Sequence, residues 1–412
     1  MKRIVVLIDG TWNKEAVTGN TNVARLDCNT QIAKFIRSPQ AADGTVQQVF
    51  YHSGVGSEGD LLQRLLGGAI GLGLKQIIKD AYEYVVANYV DGDELYLWGF
   101  SRGSYAARAL AGLIGASGIQ RRIDDQLFEL AWQHYRVRPQ ARQHPEIAGG
   151  GDKTSIEQYR AARNSFHPTR AIKCVAVWDT VGSYGIPAGF GLAALARYFT
   201  LATLGFHDTS FGDNVDVGLH ALGIDEHRRP FVPTFWTIAK GCTPRGHVEQ
   251  TWFAGAHCNV GGGYPDSGLS DTALIWMIAR VQALTGLEFD MAAIKANTAP
   301  KTDGSVVDST KGWWLDHLLP HYRTVLSPDA ICHGYLFSSA DPQEEHINER
   351  VHWSVGEKHQ NPAAYDPPNL PPKIPAGKIT AITSEEQALL QRVSNSVAAS
   401  PNGVPESKFD RN

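Results

Sequence analysis

The stretch YLWGFSRGSYAARALAG, residues 96–112, places Ser101 between Gly99 and Gly103, where an apolar run changes to a run with helical spacing. The residues ELYLW before the joint are typical of a buried strand, and the apolar residues after it recur as on one face of a helix. The pattern G-x-S-x-G at a strand-to-helix joint is typical of a nucleophile elbow, a sharp turn that exposes a serine hydroxyl above a sheet. The alternative is that Ser101 only caps the helix.

Other parts of the chain repeat this alternation of strand and helix. Apolar runs that end in loops predict strands at RIVVLI (3–8), VQQVFY (46–51), IKCVAVWDTVG (172–182) and VEQTWFAGAHCNVGGGY (248–264). The segments KQIIKDAYEYVVANY (75–89) and LSDTALIWMIARVQALTG (269–286) have helical spacing. Strands that alternate with helices indicate parallel β-α-β units. We therefore predict an α/β protein with a doubly wound, mostly parallel sheet.

The composition indicates which partners and which cellular compartment to expect for this protein. The 412 residues carry a formal net charge of −4, which gives no indication of a nucleic acid or an anionic membrane surface as a partner. The five cysteines are scattered without C-x-x-C spacing, as expected for reduced thiols. The apolar run before Asp9 is shorter than a secretory signal requires. We predict a cytoplasmic protein, and export by a route that reads no amino-terminal signal stays open.

Three predicted strands end in loops that carry a serine, an aspartate and a histidine. Ser101 follows ELYLWGF, Asp179 follows IKCVAVW and His257 follows VEQTWFAGA. Catalytic groups in such sheets lie beyond the carboxyl ends of the strands, and the order Ser, Asp, His is the one expected of α/β-hydrolases. Asp225 in GIDEHRRPF is the alternative acid. Asp179 as a loop cap and His257 as a buried structural histidine are the alternatives without catalysis.

A serine nucleophile also needs donors for the oxyanion. The backbone amide of Arg102, which opens the helix, is the first candidate. The loop DGTWN offers a second donor in the amide of Gly10 or Thr11. The sequence contains no convincing P-loop, zinc motif or dinucleotide fingerprint, so we predict no metal and no cofactor.

Several of these motifs resemble one known family, the α/β-hydrolase-like domain of the type VI secretion lipase effectors of the first Tle class. The resemblance rests on DGTWN with TNVARL, on AYEYV and GDELYLWGFSRGSYAARALAGLIGASG, and on VWDTVGSYG, HALGIDEHRRPF and WFAGAHCNVGGGYPDSGLSD. It implies an α/β-hydrolase-like, doubly wound, mostly parallel sheet with helical cap insertions. It also implies an esterase or phospholipase triad of Ser101, Asp179 and His257. The implied partners are an ester or lipid substrate and a transient membrane surface; a secretion-apparatus or immunity partner stays open.

The resulting hypothesis is a serine hydrolase that cleaves carboxylic esters, of lipids or phospholipids, through an acyl-enzyme. A housekeeping esterase, a thioesterase, a polyester depolymerase and a non-catalytic binding module are the alternatives. The apolar, glycine-interrupted segment 185–206 predicts the wall or lid of an acyl pocket that contains Leu195 and Phe199. An ordinary crossover helix that packs on the sheet is the alternative for this segment.

The predicted organisation of the chain has three parts. Residues 1–300 form an α/β-hydrolase-like catalytic domain with cap insertions at about 120–170 and 185–235. Residues 301–395 form a carboxyl-terminal extension that packs on the core. Residues 396–412 form a disordered tail.

Overall fold

A computed structural model supplies the structure of the protein. It describes residues 1–10, 21–27, 34–54, 70–168, 171–181, 211–228, 231–239, 241–311, 317, 320–326, 344–371, 373–375 and 377–397.

The strands among these residues are β1 (Lys2–Ile8), β2 (Val46–His52), β3 (Glu94–Phe100), β4 (Ile172–Trp178), β5 (Val215–Gly223), β6 (Thr237–Ala239), β7 (His247–Phe253), β8 (Glu344–His346) and β9 (Glu349–Val351). Seven of them form one sheet in the spatial order β2-β1-β3-β4-β5-β7-β9, and β6 and β8 form an antiparallel pair. Every neighbouring pair in the large sheet is parallel. The predicted α/β fold class with a parallel sheet is confirmed.

Helices occupy the connections between the strands. Their bounds are Asn22–Leu26, Ile70–Asn88, Arg102–Ser117, Asp125–Arg136, Pro139–Gln143, Gly150–Ala161, His257–Gly261, Gly268–Thr285, Met291–Asn297, Trp353–His359 and Ser384–Val397, with short 3₁₀ turns at Pro145–Ile147 and Arg163–Ser165. In the described part of the chain, no helix has the length and apolar composition needed to cross a bilayer.

The sheet is buried on both faces, which explains the nearly continuous apolar runs of its strands. Successive residues of β1 belong to different core clusters: Val6 lies with the helices Ile70–Asn88 and Arg102–Ser117, and Leu7 lies with the helix Gly268–Thr285. Because helices cover both faces, a substrate can reach the sheet only beyond the carboxyl ends of the parallel strands. Catalytic side chains are therefore expected at that edge.

The insertions predicted as a cap are only partly described. Residues 120–170 contain the helix Asp125–Arg136, whose Phe128 and Trp132 pack into the same core cluster as the Arg102–Ser117 helix. Much of the segment 185–235 lies outside the described residues. The cap role of both insertions stays a prediction.

The chain beyond residue 300 adds a strand to the large sheet. Glu349–Val351 pairs in parallel with β7 at the sheet edge. Leu389 and Val393 of the helix Ser384–Val397 belong to the core cluster of the Gly268–Thr285 helix. Periodicity did not predict the added strand, because a strand of three residues is too short to show alternation. The domain boundary at 300 stays a prediction.

Candidate active site

Ser101 lies in a strained turn between β3 and the helix Arg102–Ser117. Its backbone has φ 58° and ψ −120°, a conformation that costs a residue with a side chain about 1–3 kcal/mol. The turn is tight enough to require both flanking glycines. A Cβ atom on Gly99 would lie 2.5 Å from the carbonyl oxygen of Gly103, and one on Gly103 would lie 2.1 Å from that of Ile8. The local geometry is that of the predicted elbow.

The helix-cap alternative for Ser101 does not fit this geometry. The Ser101 side chain makes no capping hydrogen bond to the helix that follows it. The backbone of Ser101 is tied instead to the end of β4: its amide donates to the carbonyl of Trp178 at 3.0 Å, and its carbonyl accepts from the amide of Val181 at 3.4 Å. The hydroxyl is therefore held at the sheet edge by the backbone and is not used to stabilise the helix.

Asp179 and His257 meet at the same edge of the sheet. Phe100 and Trp178 are register partners, so Ser101 and Asp179 leave neighbouring strands side by side. Nδ1 of His257 lies 2.5 Å from Oδ2 of Asp179, and both side chains are buried. The Asp179 backbone has φ 40°, a left-handed conformation that is uncommon for aspartate.

The imidazole of His257 lies beside the elbow. The ring of Phe100, the residue before Ser101, packs on it with centroids 4.6 Å apart, and Phe231 contacts it edge-on at 5.0 Å. Burial lowers the pKa of His257, an effect that the hydrogen bond and the charge of Asp179 oppose. The neutral imidazole is therefore favoured, with the Nδ1 proton directed at Asp179.

Sequence reasoning missed Arg323, which also binds Asp179. Its Nη1 atom donates to Oδ1 at 2.6 Å and its Nη2 atom to Oδ2 at 2.9 Å. Burial by itself raises the pKa of Asp179, but the charge of Arg323, with hydrogen bonds from His257 and Arg323, outweighs it and holds the pKa well below its usual range. No local motif marks Arg323, so no sequence signal could have connected it with Asp179.

Asp225, the alternative acid, binds groups other than the imidazole. Its Oδ2 atom accepts from the amide of Gly255 at 2.6 Å and from the hydroxyl of Tyr365 at 2.9 Å. Asp225 therefore braces the loop that leads to His257. Burial raises its pKa. Among the described carboxylates, the geometry pairs Asp179 with His257 rather than Asp225.

Glu226 is a second neighbour of His257 that sequence reasoning missed. Its Oε2 atom accepts from the backbone amide of His257 at 3.3 Å. The same carboxylate receives two hydrogen bonds at 2.9 Å from the guanidinium of Arg228 and one at 2.9 Å from the hydroxyl of Ser309. Glu226 thus holds the backbone of His257 while its own charge is paired.

His220 on β5 lies beside the loop that carries Asp179. It is fully buried; its Nε2 atom accepts from the amide of Thr180 at 3.1 Å, and its Nδ1 atom lies 3.3 Å from Oε1 of Gln250. Burial lowers its pKa to about 3. His220 is therefore a neutral residue that supports the loop after Asp179.

The predicted oxyanion donors have different outcomes. The amide of Arg102 stands at the first position of its helix, where an amide has no intrahelical acceptor. The amide of Gly10 donates to Oδ1 of Asp9 at 2.6 Å instead, although a Cβ atom on Gly10 would lie only 3.3 Å from that of Ser101. The Asp9 carboxylate is charged and lies next to Gly10 in the chain, so it is a stronger acceptor for this amide than an uncharged substrate carbonyl. Thr11 lies outside the described residues.

Two further predictions concerned an acyl pocket and the absence of a metal. Leu195 and Phe199, predicted to line an acyl pocket, lie outside the described residues. In the part of the chain that is described, no group of three or more His, Cys, Asp or Glu side chains could hold a metal ion.

Comparison with known proteins identifies the family. The sequence model described as "T6SS, Phospholipase effector Tle1-like, catalytic domain" matches residues 2–280. The chain belongs to this Tle1-like family. The matched region contains Ser101, Asp179 and His257, whereas Arg323 lies beyond it.

Individual relatives of this Tle1-like chain are distant and longer. The uncharacterized protein YEL023C of Saccharomyces cerevisiae is 26% identical over 271 residues, which cover 63% of this chain and 35% of the yeast protein. A solved Tle1 effector bound to the VgrG spike of the type VI secretion system is 15% identical, with a TM-score of 0.34, over 64% of this chain and 51% of that one. An uncharacterized protein from Pseudomonas aeruginosa is 16% identical, with a TM-score of 0.40, over 96% and 62%. The chain thus spans about a third of the yeast protein and about half of the Tle1 effector.

Proposed function

We propose that this protein hydrolyses carboxylic esters of lipids, phospholipids among them, through an acyl-enzyme formed on Ser101. The observation that carries the proposal is the buried pair of Asp179 and His257, held at 2.5 Å beside a serine in a strained elbow. Membership in a phospholipase effector family supports the substrate class.

In the first half of the proposed reaction, His257 takes the proton from the Ser101 hydroxyl on its Nε2 atom. The serine oxygen attacks the ester carbonyl, and the Arg102 amide donates to the oxyanion. Asp179 keeps the Nδ1 proton in place and stabilises the imidazolium. Collapse of the tetrahedral intermediate breaks the bond to the alcohol, which leaves with the proton from His257.

The second half repeats these steps with water as the nucleophile. His257 removes a proton from water, the resulting hydroxide attacks the acyl-enzyme, and the serine oxygen leaves with the proton that His257 returns. Ser101 is regenerated and the carboxylic acid is released. Every proton transfer in this scheme uses the same nitrogen of His257, which is why the other nitrogen must be held by Asp179.

A phospholipid also fits the charge next to the nucleophile. The Arg102 side chain is partly buried, which lowers its pKa to about 10, and no carboxylate among the described residues pairs with it. A guanidinium beside Ser101 that no described carboxylate pairs with suits a substrate with a phosphate group. We propose that Leu195 and Phe199, which lie outside the described residues, belong to the wall or lid of the acyl-chain pocket.

The test is a hydrolysis screen of p-nitrophenyl esters, neutral glycerides, phospholipids, thioesters and polyesters, with Ser101→Ala as the matched control. We expect turnover of medium- or long-chain esters and phospholipids by the wild-type protein and none by the variant. Turnover confined to thioesters or polyesters would favour the alternative esterases. No turnover of any class, together with no reaction of Ser101 with a fluorophosphonate, would favour a binding module.

The organisation of the chain and its partners complete the proposal. Residues 1–300 form the catalytic domain and residues 301–395 an extension, supported by the strand Glu349–Val351 and the helix Ser384–Val397 that attach to the core. Transient contact with a membrane surface, export without an amino-terminal signal and a secretion-apparatus or immunity partner are further parts of the proposal, and only membership in the family supports them. Sedimentation of the purified protein with phospholipid vesicles tests the first of these.

A further inference from the structure

Arg323 connects the carboxyl-terminal extension to the centre of the candidate site. The residue is 2% exposed, and its guanidinium makes two hydrogen bonds to Asp179. The same guanidinium donates to the carbonyl of Gly223 at 2.6 Å and to that of Phe231 at 2.5 Å. The amide of Asn369 donates to the carbonyl of Arg323 at 3.0 Å, so the backbone of this residue is fixed as well.

These contacts restrain the Asp179 carboxylate on both oxygens. Oδ1 accepts from Arg323 and from the amide of Gly223 at 3.0 Å, and Oδ2 accepts from Arg323 and from His257. A bidentate guanidinium fixes the plane of a carboxylate, because both bonds are lost when the plane rotates. Arg323 also holds the backbone of Phe231, whose ring contacts the imidazole. The orientation of His257 thus depends on Arg323 in two ways.

The charge of Arg323 has a separate consequence. In a Ser-His-Asp triad, the aspartate charge stabilises the imidazolium and makes the histidine a stronger base. Here a buried guanidinium lies against the same carboxylate, so the pair of Asp179 and Arg323 presents little net charge to His257. A like charge nearby also disfavours protonation of the imidazole.

The other groups that face His257 do not replace this effect. Glu226 favours the imidazolium, but Arg228, which is paired with Glu226, disfavours it. The neighbouring thiol of Cys258 and the phenol of Tyr264 both have pKa values raised by burial, so they stay neutral. Burial has the largest effect on the imidazole and Asp179 opposes it most strongly, so a guanidinium that balances the Asp179 charge acts in the same direction as burial.

We propose that Arg323 is a positioning residue that locks the Asp179 carboxylate and keeps the imidazole of His257 neutral at mildly acidic pH, so that the carboxyl-terminal extension completes the active site. This inference rests on the proposed function for its catalytic meaning. The placement of Arg323 beyond residues 2–280, the region matched by the family, makes it a feature of this chain rather than of the matched region.

The first test measures His257 directly and needs no turnover. The Nδ1 proton of a histidine bonded to a carboxylate gives a low-field NMR resonance, whose pH titration reports the pKa of the ring. In full-length protein, Arg323→Gln should raise the midpoint by about one pH unit, because the Asp179 charge is no longer balanced. A folded Arg323→Gln protein with an unchanged midpoint would overturn the proposal.

Arg323→Lys separates charge from geometry and covers the case in which the glutamine variant does not fold. Lysine keeps the positive charge but cannot bind both oxygens in one plane. Its midpoint should stay near that of the wild type, while kcat falls by about tenfold as the imidazole loses its fixed orientation. Wild-type kcat in this variant would show that the bidentate contact does not position the site.

The kinetic experiment measures how kcat/KM falls at low pH in Arg323→Gln and in a matched control variant. The midpoint of this fall is called the acid limb. Arg280→Gln removes a guanidinium from Glu249 near the opposite end of β7, so it should change stability without moving the limb. Arg323→Gln should move the limb upward by the same interval as the NMR midpoint. If the wild type hydrolyses no ester, the proposed function fails, while the NMR titration still decides the role of Arg323.

Discussion

Nδ1 of His257 lies 2.5 Å from Oδ2 of Asp179, although 78 residues separate the two along the chain. Asp179 follows β4 and His257 follows β7, and only β5 lies between these strands in the sheet. The contact fixes the tautomer of the imidazole, since the Nδ1 proton is held by a carboxylate whose own pKa is far below neutral pH. The Nε2 atom is left to act as a base.

This contact predicts different effects for the two candidate acids. Asp179→Asn should lower kcat by about 10⁴-fold, because the amide leaves the imidazole in the wrong tautomer. Asp225→Asn is the matched control and should lower kcat far less, since Asp225 binds Gly255 and Tyr365. Steady-state kinetics on one soluble ester measures both variants. The opposite ranking would assign the acid to Asp225.

The nucleophile can be identified chemically. A fluorophosphonate should form its adduct on Ser101, as mapped by mass spectrometry of the digested protein, because this serine alone is expected to be activated by His257. Ser101→Ala should abolish labelling. Ser104→Ala, which replaces the nearby serine that donates to the carbonyl of Trp178, should keep it. An adduct on another serine would contradict the proposed mechanism.

The strained backbone of Ser101 predicts that replacement by glycine stabilises the fold while it removes the proposed nucleophile. Glycine adopts a positive φ without the penalty of a side chain. Ser101→Gly should therefore unfold at a higher urea concentration than Ser101→Ala, by about 1 kcal/mol in the free energy of unfolding. Both variants should be inactive. Equal stability of the two would mean that the elbow stores no strain.

Burial of His220 predicts a pH dependence of stability. Its pKa is lowered to about 3 in the folded protein, whereas an unfolded chain binds this proton near pH 6.5. Between these values the unfolded state holds more protons, so stability falls as the pH drops from about 6.5 to 3. His220→Gln should reduce that slope by about one proton, as measured by urea unfolding at several pH values. His144→Gln, the same substitution at an exposed histidine, is the matched control.

The segment 185–206 can be tested through chain length. If it lines an acyl pocket, replacing Leu195 and Phe199 by serine should lower kcat/KM for long-chain esters much more than for acetate esters. The same ratio of loss on both substrates, with a large fall in melting temperature, would assign the segment to the core. The comparison needs only one series of p-nitrophenyl esters.

The sequence alone predicted the strands, helices and turn that depend on neighbouring residues. The apolar run at 3–8 became the strand Lys2–Ile8, and the helical spacing over 75–89 became part of the helix Ile70–Asn88. The elbow at Ser101 was predictable because its two glycines are adjacent in the chain to the turn that needs them. These features depend on side-chain periodicity and on contacts within a few residues.

Only the tertiary structure decided which distant groups meet. Asp179 and Asp225 both follow strands and both look suitable for His257, and the order of strands in the sheet brings Asp179 to the imidazole. Arg323 has no motif, and its contact with Asp179 exists because the extension folds back onto the sheet edge. The amide of Gly10 was predicted to face the substrate, yet it donates to Asp9. Each outcome follows from competition among buried partners for hydrogen bonds, and that competition exists only once the chain has folded.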